Sequence, residues 1–188
     1  DIDTDSEVYA RGIHTDDPVS EKSSPDAMVE AVRARVARHL AAGKFVVTLG
    51  GEHSVTVGAV RAHAERYPGI SVLQLDAHAD LQEEFHGSRY NHACVMARVR
   101  ESCPVVQVGI RSLDDVERKA ADPERLFLAE DIQGSRDWVQ RIGAVVFPGR
   151  WPLLPNSTWN RARAQGRVQI IRPGPFKADS PFVYVPDK

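Results

Sequence analysis

Asp76, His78 and Asp80 stand at alternate positions directly after the apolar run Val72-Leu73-Gln74-Leu75. In an extended chain alternate side chains share one face. The two carboxylates and the imidazole are therefore expected to project together from the carboxyl end of a buried parallel strand, where open α/β sheets place their ligand sites. Such a set attracts a divalent cation. Mixed oxygen and nitrogen donors suit Mn2+, Zn2+ or Fe2+ better than Ca2+ or a thiolate-preferring metal. A second strand end supplies His53: Val46-Val47-Thr48-Leu49 runs into Gly50-Gly51, and paired glycines let the backbone turn tightly. If the two strands are neighbours, His53 reaches the carboxylates. A lone Asp-x-His-x-Asp is usually an ordinary polar loop, but two strand-end motifs, each behind an apolar run, point to a metal centre. Four such residues hold one cation fully or two in part. Paired cations generate a hydroxide nucleophile at neutral pH, and that nucleophile suits a guanidinium, an amide or a phosphoester. The residues alone leave the choice open.

The elements that position these residues follow from the pattern. Ser24 offers an N-cap with Pro25 at the first helical position. Val29, Val32, Val36 and Leu40 follow at helical spacing, and Gly43 closes the helix. Residues 45–49 read as a buried strand, 54–67 as a helix ended by Pro68-Gly69, and 71–75 as the strand that feeds the carboxylates. Then come a helix over 91–101, a strand over 105–109, a helix over 113–121, a short strand over 126–128 and a helix over 135–142. Residues 1–22 read as loop. This alternation predicts a layered α/β domain with a mainly parallel sheet, without internal repeats.

Composition is ordinary for a globular protein: 188 residues, 42% hydrophobic, 27% charged, formal net charge −2. No apolar run approaches the roughly 20 residues that span a membrane. The balanced charge favours neither a nucleic-acid nor a membrane partner. The first residue is Asp1, so the natural start is expected to be missing. Cys94 and Cys103 are too few for a disulfide framework and read as reduced cytoplasmic thiols.

Four stretches resemble the ureohydrolase (arginase/agmatinase) family, agmatinases above all: V-T-L-G-G-E-H-S-V-T-V-G-A-V, S-V-L-Q-L-D-A-H-A-D-L, G-S-R-Y-N-H-A-C-V-M and V-Q-V-G-I-R-S, between Val47 and Arg111 and in family order. Fainter similarity runs from about residue 13 to 142. The resemblance implies a three-layer α/β/α sandwich, here incomplete at its C-terminus. It also implies manganese-dependent hydrolysis of a guanidino compound, with agmatine giving putrescine and urea in polyamine biosynthesis, by a cytoplasmic homo-oligomer, usually a trimer or hexamer. Two Mn2+ per subunit are implied, one bound by His53 and Asp80, the other by His78, with Asp76 bridging. His92, in Tyr90-Asn91-His92-Ala93, matches the family histidine that passes a proton to the leaving amine. Asn91 departs from the serine common there and can cap the helix instead. Glu52 reads as support for the adjoining ligand. His14, His39, His63 and His86 read as structural or solvated. A histone-deacetylase-like hydrolase shares the sandwich and a D-x-H motif, but uses one zinc and lacks G-G-E-H-S.

The family's later D-x-D-G-x-D-P motif and its substrate-binding glutamate are not found. Residues 1–142 read as the N-terminal part of the domain and 143–188 as a Pro-rich divergent tail. That tail holds seven of the twelve prolines, and its only acids are Asp179 and Asp187. A reading-frame shift accounts for the change. Gly149-Arg150-Trp151 can be coded GGT-CGA-TGG, which one base later reads V-D-G. Asn156 to Arg161 can likewise be coded to give I-R-P-G-T. The second metal is then expected to lack ligands, leaving weak manganese binding and little turnover. A non-catalytic metal-binding remnant, or a subunit that assembles with intact copies, is the alternative.

Overall fold

The computed structural model describes Glu7, residues 12–146 and the backbone of one further strand, Val168–Ile171. Within it, strands β1 (Ser71–Leu75), β2 (Val105–Ile110), β3 (Leu126–Leu128) and β4 (Val168–Ile171) form one sheet in the order β3-β2-β1-β4. Every pairing is parallel. Helices α1 (Pro25–Ala41), α2 (Val55–Arg66), α3 (Val95–Val99), α4 (Asp115–Ala120), α5 (Ala129–Gly134) and α6 (Trp138–Val146) connect and cover it.

The alternation along each strand sorts the core into two layers. Val72 and Val105 face α2 and α3, where Val57, Val60, Val95, Met96 and Val99 complete a buried cluster. Leu73, Val106 and Val108 face the other way, onto Ile132 of α5 and Ile142, Val145 and Val146 of α6. The described residues thus make the expected α/β/α sandwich. A third cluster, Val32, Val36 and Leu40 against Ala59 and Ala62, seats α1 on the outer side of α2.

α1 begins as its sequence dictates. Ser24 Oγ accepts the Ala27 amide at 3.2 Å, with Pro25 following. It ends at Gly43, whose φ of +69° only glycine adopts at little cost. Asp16 binds Arg35, Arg38 and His39, which pins the preceding loop to the helix. The His39 and Arg35 hydrogen bonds hold its carboxyl well below the usual carboxylate range.

Two sequence expectations are corrected. Residues 45–49 are not a strand. Phe45, Val47 and Leu49 are 43, 47 and 75% exposed, while Val46 packs toward α1 and α2. The side chains alternate as in a strand, but a strand exists only through a hydrogen-bonded neighbour, and both edges of β1 are taken, by β2 and β4. The last expected helix, over 135–142, runs instead from Trp138 to Val146, and Val168–Ile171 adds a strand. The frame-shift peptides, Asp179 and Asp187 lie outside the described residues.

Two buried features carry stability. Gly58 of α2 lies against α1: a Cβ built there falls 2.2 Å from Val29 O and 2.9 Å from Arg33 N, both backbone atoms. Gly58→Ala gains roughly 1 kcal/mol of helix propensity but forces the helices apart. A net loss of about 1–3 kcal/mol is expected in urea unfolding, and an unchanged midpoint would show that the crossing is not tight. His63 is 5% exposed. Its Nδ1 lies 2.8 Å from Ala59 O, which can only accept, so Nδ1 carries the hydrogen and Nε2 is left bare and unpartnered. Burial lowers its pKa. The unfolded chain takes up a proton as pH falls through about 6.5 while the folded one resists it. Stability is therefore full above that pH and declines below it. The decline should be smaller in His63→Gln, and equal pH slopes for the two proteins in chemical denaturation would refute this assignment.

Candidate metal centre

His53, Asp76 and Asp80 converge. One ligand atom from each lies within 4.8 Å of the others. They arrive by three routes, each traceable to local structure.

Asp76 follows the last residue of β1. Its amide donates to Val108 O of β2 at 3.1 Å, so the parallel ladder is carried one residue past the strand. Opposite it, Gly109 has φ +85°, and a Cβ there would sit 3.3 Å from Asp76 O. The register shift in β2 between Val108 and Ile110 depends on that glycine.

Asp80 is reached by a turn. The segment after Leu75 does not stay extended. Asp80 has φ +55°, a left-handed backbone that an aspartate tolerates better than most residues. It is fixed from several sides. Its carbonyl accepts the Met96 and Ala97 amides of α3 at 2.9 and 3.2 Å. The next amide, of Leu81, donates to the buried Glu117 Oε1 at 3.0 Å. Glu117 also accepts from the Asp114 amide, closing a capping box on α4. The two carboxylates are thus brought together by a bend rather than by the shared face of an extended chain.

His53 sits in the turn that starts α2. Its carbonyl accepts the Thr56 amide at 3.0 Å. Gly50 is needed for a close approach, since a Cβ there would meet Val55 Cγ2 at 2.6 Å, whereas Gly51 has open space around it. His53 reaches the carboxylates through this turn, not through a neighbouring strand. Its ring is 8% exposed. Nε2 is buried without a hydrogen-bond partner and lies 3.2 Å from Asp80 Oδ2. Nδ1 lies 3.3 Å from Thr56 Oγ1.

These residues fit a divalent cation. A ligating imidazole keeps its bare nitrogen toward the metal and donates its other N–H to a fixed acceptor. His53 suits this: Nε2 is buried without a hydrogen-bond partner, with Asp80 Oδ2 3.2 Å away, and the Thr56 hydroxyl lies behind Nδ1. Oxygen, oxygen and nitrogen are donors for Mn2+, Zn2+ or Fe2+.

The other expected residues are placed differently. His78 does not join the convergent set. Its side chain is 65% exposed, with Nδ1 3.5 Å from Asp76 Oδ1 and its amide donating to that same oxygen at 3.0 Å. His92 opens a single 3-10 turn (His92–Cys94) capped by Asn91, whose side chain accepts from Ala93 N. The ring is 62% exposed, stands edge-on to Phe85, and has Nδ1 3.8 Å from Glu52 Oε1. Glu52 accepts from the Ser54 amide at 2.7 Å and from its hydroxyl, so one carboxylate shapes the His53 turn and faces His92. Cys94 and Cys103 are free and buried, and burial pushes the Cys103 thiol up to about 11. Among the described residues no helix is long and apolar enough to cross a membrane.

Sequence reasoning missed Gln74, Gln107 and Glu117. Gln74 is fully buried and its Nε2 lies 3.3 Å from both Asp76 Oδ2 and Asp80 Oδ2. The available signal was a glutamine inside an otherwise apolar strand, a polar group that burial tolerates only when it is hydrogen-bonded.

Comparison with known proteins identifies the family and the fold. The model of the Arginase family matches residues 3–146. The chain is 47% identical over 105 residues to an N(1)-aminopropylagmatine ureohydrolase of Thermus thermophilus, covering 55% of this chain and 36% of that protein. It is 36% identical over 150 residues to one of Synechocystis, covering 75% and 49%. The chain thus spans between about a third and a half of these relatives. Among solved structures, the agmatine ureohydrolase of Thermoplasma volcanium superposes with a TM-score of 0.57 at 26% identity, covering 82% of this chain and 47% of that one. The arginase of Bacillus subtilis gives 0.56 at 26%, covering 67% and 52%. The bend that brings Asp76 and Asp80 to His53, on a parallel sheet between two helical layers, is therefore built in a chain that belongs to the arginase family.

Proposed function

We propose that this chain carries part of the active centre of a manganese-dependent amidinohydrolase, one that releases urea from agmatine or from its N1-aminopropyl derivative. The observation that carries the reading is the convergence of His53, Asp76 and Asp80 around a buried, unpartnered His53 Nε2. Agmatine follows from the motif resemblance. The aminopropyl derivative follows from the names of two relatives. Both substrates end in a guanidinium, and both leave an amine that must take up a proton.

His53, Asp76 and Asp80 would hold the cation, and His78 a second one. Bound there, Mn2+ would supply a hydroxide nucleophile at neutral pH. The chain's own residues do the rest. Thr56 holds the His53 ring and Gln74 holds the carboxylates. His92, solvent-facing with Glu52 beside Nδ1, would hand a proton to the departing amine. Assembly into trimers or hexamers belongs to the same reading.

A specific observation favours the second reading, a metal-binding chain with little turnover. Three ligands converge among the described residues, while His78 turns to solvent. Two cations at close range need more negative charge than three carboxylate and imidazole groups provide. The expected outcome for the purified 188-residue chain is about one Mn2+ per chain, held weakly, with uptake abolished by His53→Ala combined with Asp80→Asn. Urea release from agmatine, N1-aminopropylagmatine and arginine should be slight. About two Mn2+ per chain with urea release at an ordinary enzymatic rate would establish the enzyme and refute the impaired site. No divalent uptake, or uptake indifferent to the two substitutions, would refute the metal reading.

A further inference from the structure

We propose that Gln107 and Gln74 form a positioning relay for the two metal carboxylates, an inference that rests on the metal-site reading above. The two glutamines are paired across the parallel ladder of β1 and β2. They are 4% and 0% exposed, on the sheet face that Val72 and Val105 otherwise fill with hydrocarbon. Two amides in that layer cost folding energy unless every polar atom is used.

Their directions are fixed by chemistry. Gln107 faces Ala79 O at 2.7 Å, and a carbonyl only accepts, so the Gln107 amino group points there. The same amino group lies 2.6 Å from Gln74 Oε1. Gln74 must therefore present its oxygen to Gln107 and its own amino group the other way. That amino group meets Asp76 Oδ2 and Asp80 Oδ2, each at 3.3 Å, and His78 O at 3.2 Å. A reversed Gln74 would place oxygen against two carboxylates and amine against amine.

The relay has one outcome at the site. A donor fixed from behind holds one oxygen of each aspartate, and so sets the spacing and orientation of the pair before any cation arrives. Gln107 touches neither carboxylate; it acts by fixing Gln74 and by holding the Ala79 carbonyl beside Asp80. The carbonyl of His78 lies 3.2 Å from the Gln74 amino group, whose two hydrogens are shared among it and the two carboxylates.

The test has a part without metal and a part with it. In the isotope-labelled metal-free chain, the Gln74 side-chain amide should be protected from solvent exchange, and Gln107→Met should remove that protection. In Co2+ titrations followed by visible absorption, Gln74→Met and Gln107→Met should each weaken binding about tenfold or more and shift the cobalt bands. The double variant should lose clearly less than the sum of the two single losses, because Gln107 acts mainly through Gln74. If Gln74→Met does not fold, Gln107→Met leaves Gln74 in place and the exchange and cobalt measurements on it decide. An unprotected amide in the native chain overturns the proposal, as do native Co2+ affinity and spectrum in Gln107→Met or losses that simply add. A protected amide in a native chain that binds no Co2+ overturns the metal reading and the positioning role with it, while the hydrogen-bond chain itself stands.

Discussion

Two carboxylates held a few ångströms apart repel each other by roughly 3–4 kcal/mol at the effective dielectric of a protein. The centre of this molecule is arranged around keeping Asp76 and Asp80 in that position. Nothing in the separate preferences of the two residues brings them together. Asp76 ends a strand, and Asp80 takes a left-handed backbone after a bend. What holds them is a single amide between their Oδ2 atoms, with an imidazole nitrogen on the other side. A donor between two acceptors replaces repulsion with two hydrogen bonds to charged groups, each stronger than a neutral one.

The surrounding elements make this arrangement rigid. β2 reads the register of β1 one residue beyond its end, and Gly109 gives the backbone room there. α3 contributes two amides to Asp80 O, and α4 contributes Glu117 to the following amide. α2 delivers His53 from a turn, and Gly58 lets α2 sit close to α1. Apart from α1, these contacts come from elements between residues 50 and 120. The half-site is thus held by backbone hydrogen bonds from several directions, rather than by the long side chains on the surface, whose ion pairs contribute little.

Much of this was legible in the sequence, for a definable reason. α1 announces itself with Ser24-Pro25, a four-residue apolar spacing and Gly43, and it forms accordingly. β1 and β2 are largely apolar runs and both form strands, β2 buried along most of its length and β1 at Val72 and Gln74. His53, Asp76 and Asp80, the expected ligands, were visible as strand-end motifs, and their side chains converge. What failed were inferences about direction and partnership. Residues 45–49 have strand-like alternation but no neighbour, and alternation does not encode who pairs with whom. His78 shares sequence parity with its two flanking aspartates, yet the bend turns it to solvent. The glutamines were passed over because their role exists only across the ladder, where Gln74 meets Gln107 from a position 33 residues away. A pairing of that range depends on sheet register, which no local pattern carries.

The same distinction between local and long-range structure explains why the site is uneven. Residues whose constraints are short-range or lie within the β1–β2–α3–α4 unit are settled: His53 by its helix turn, Asp80 by α3 and Glu117, Asp76 by β2. Residues that would need something further are not. Residues 45–49 lack a paired strand among the described residues, and His78 faces solvent beside Asp76 Oδ1. An imidazole that only faces one carboxylate edge gains little by leaving water, so exposure is its lower-energy position. The bend turns His78 to solvent, whereas the Asp76–Gln74–Asp80 arrangement is held by hydrogen bonds from the buried Gln74 amide.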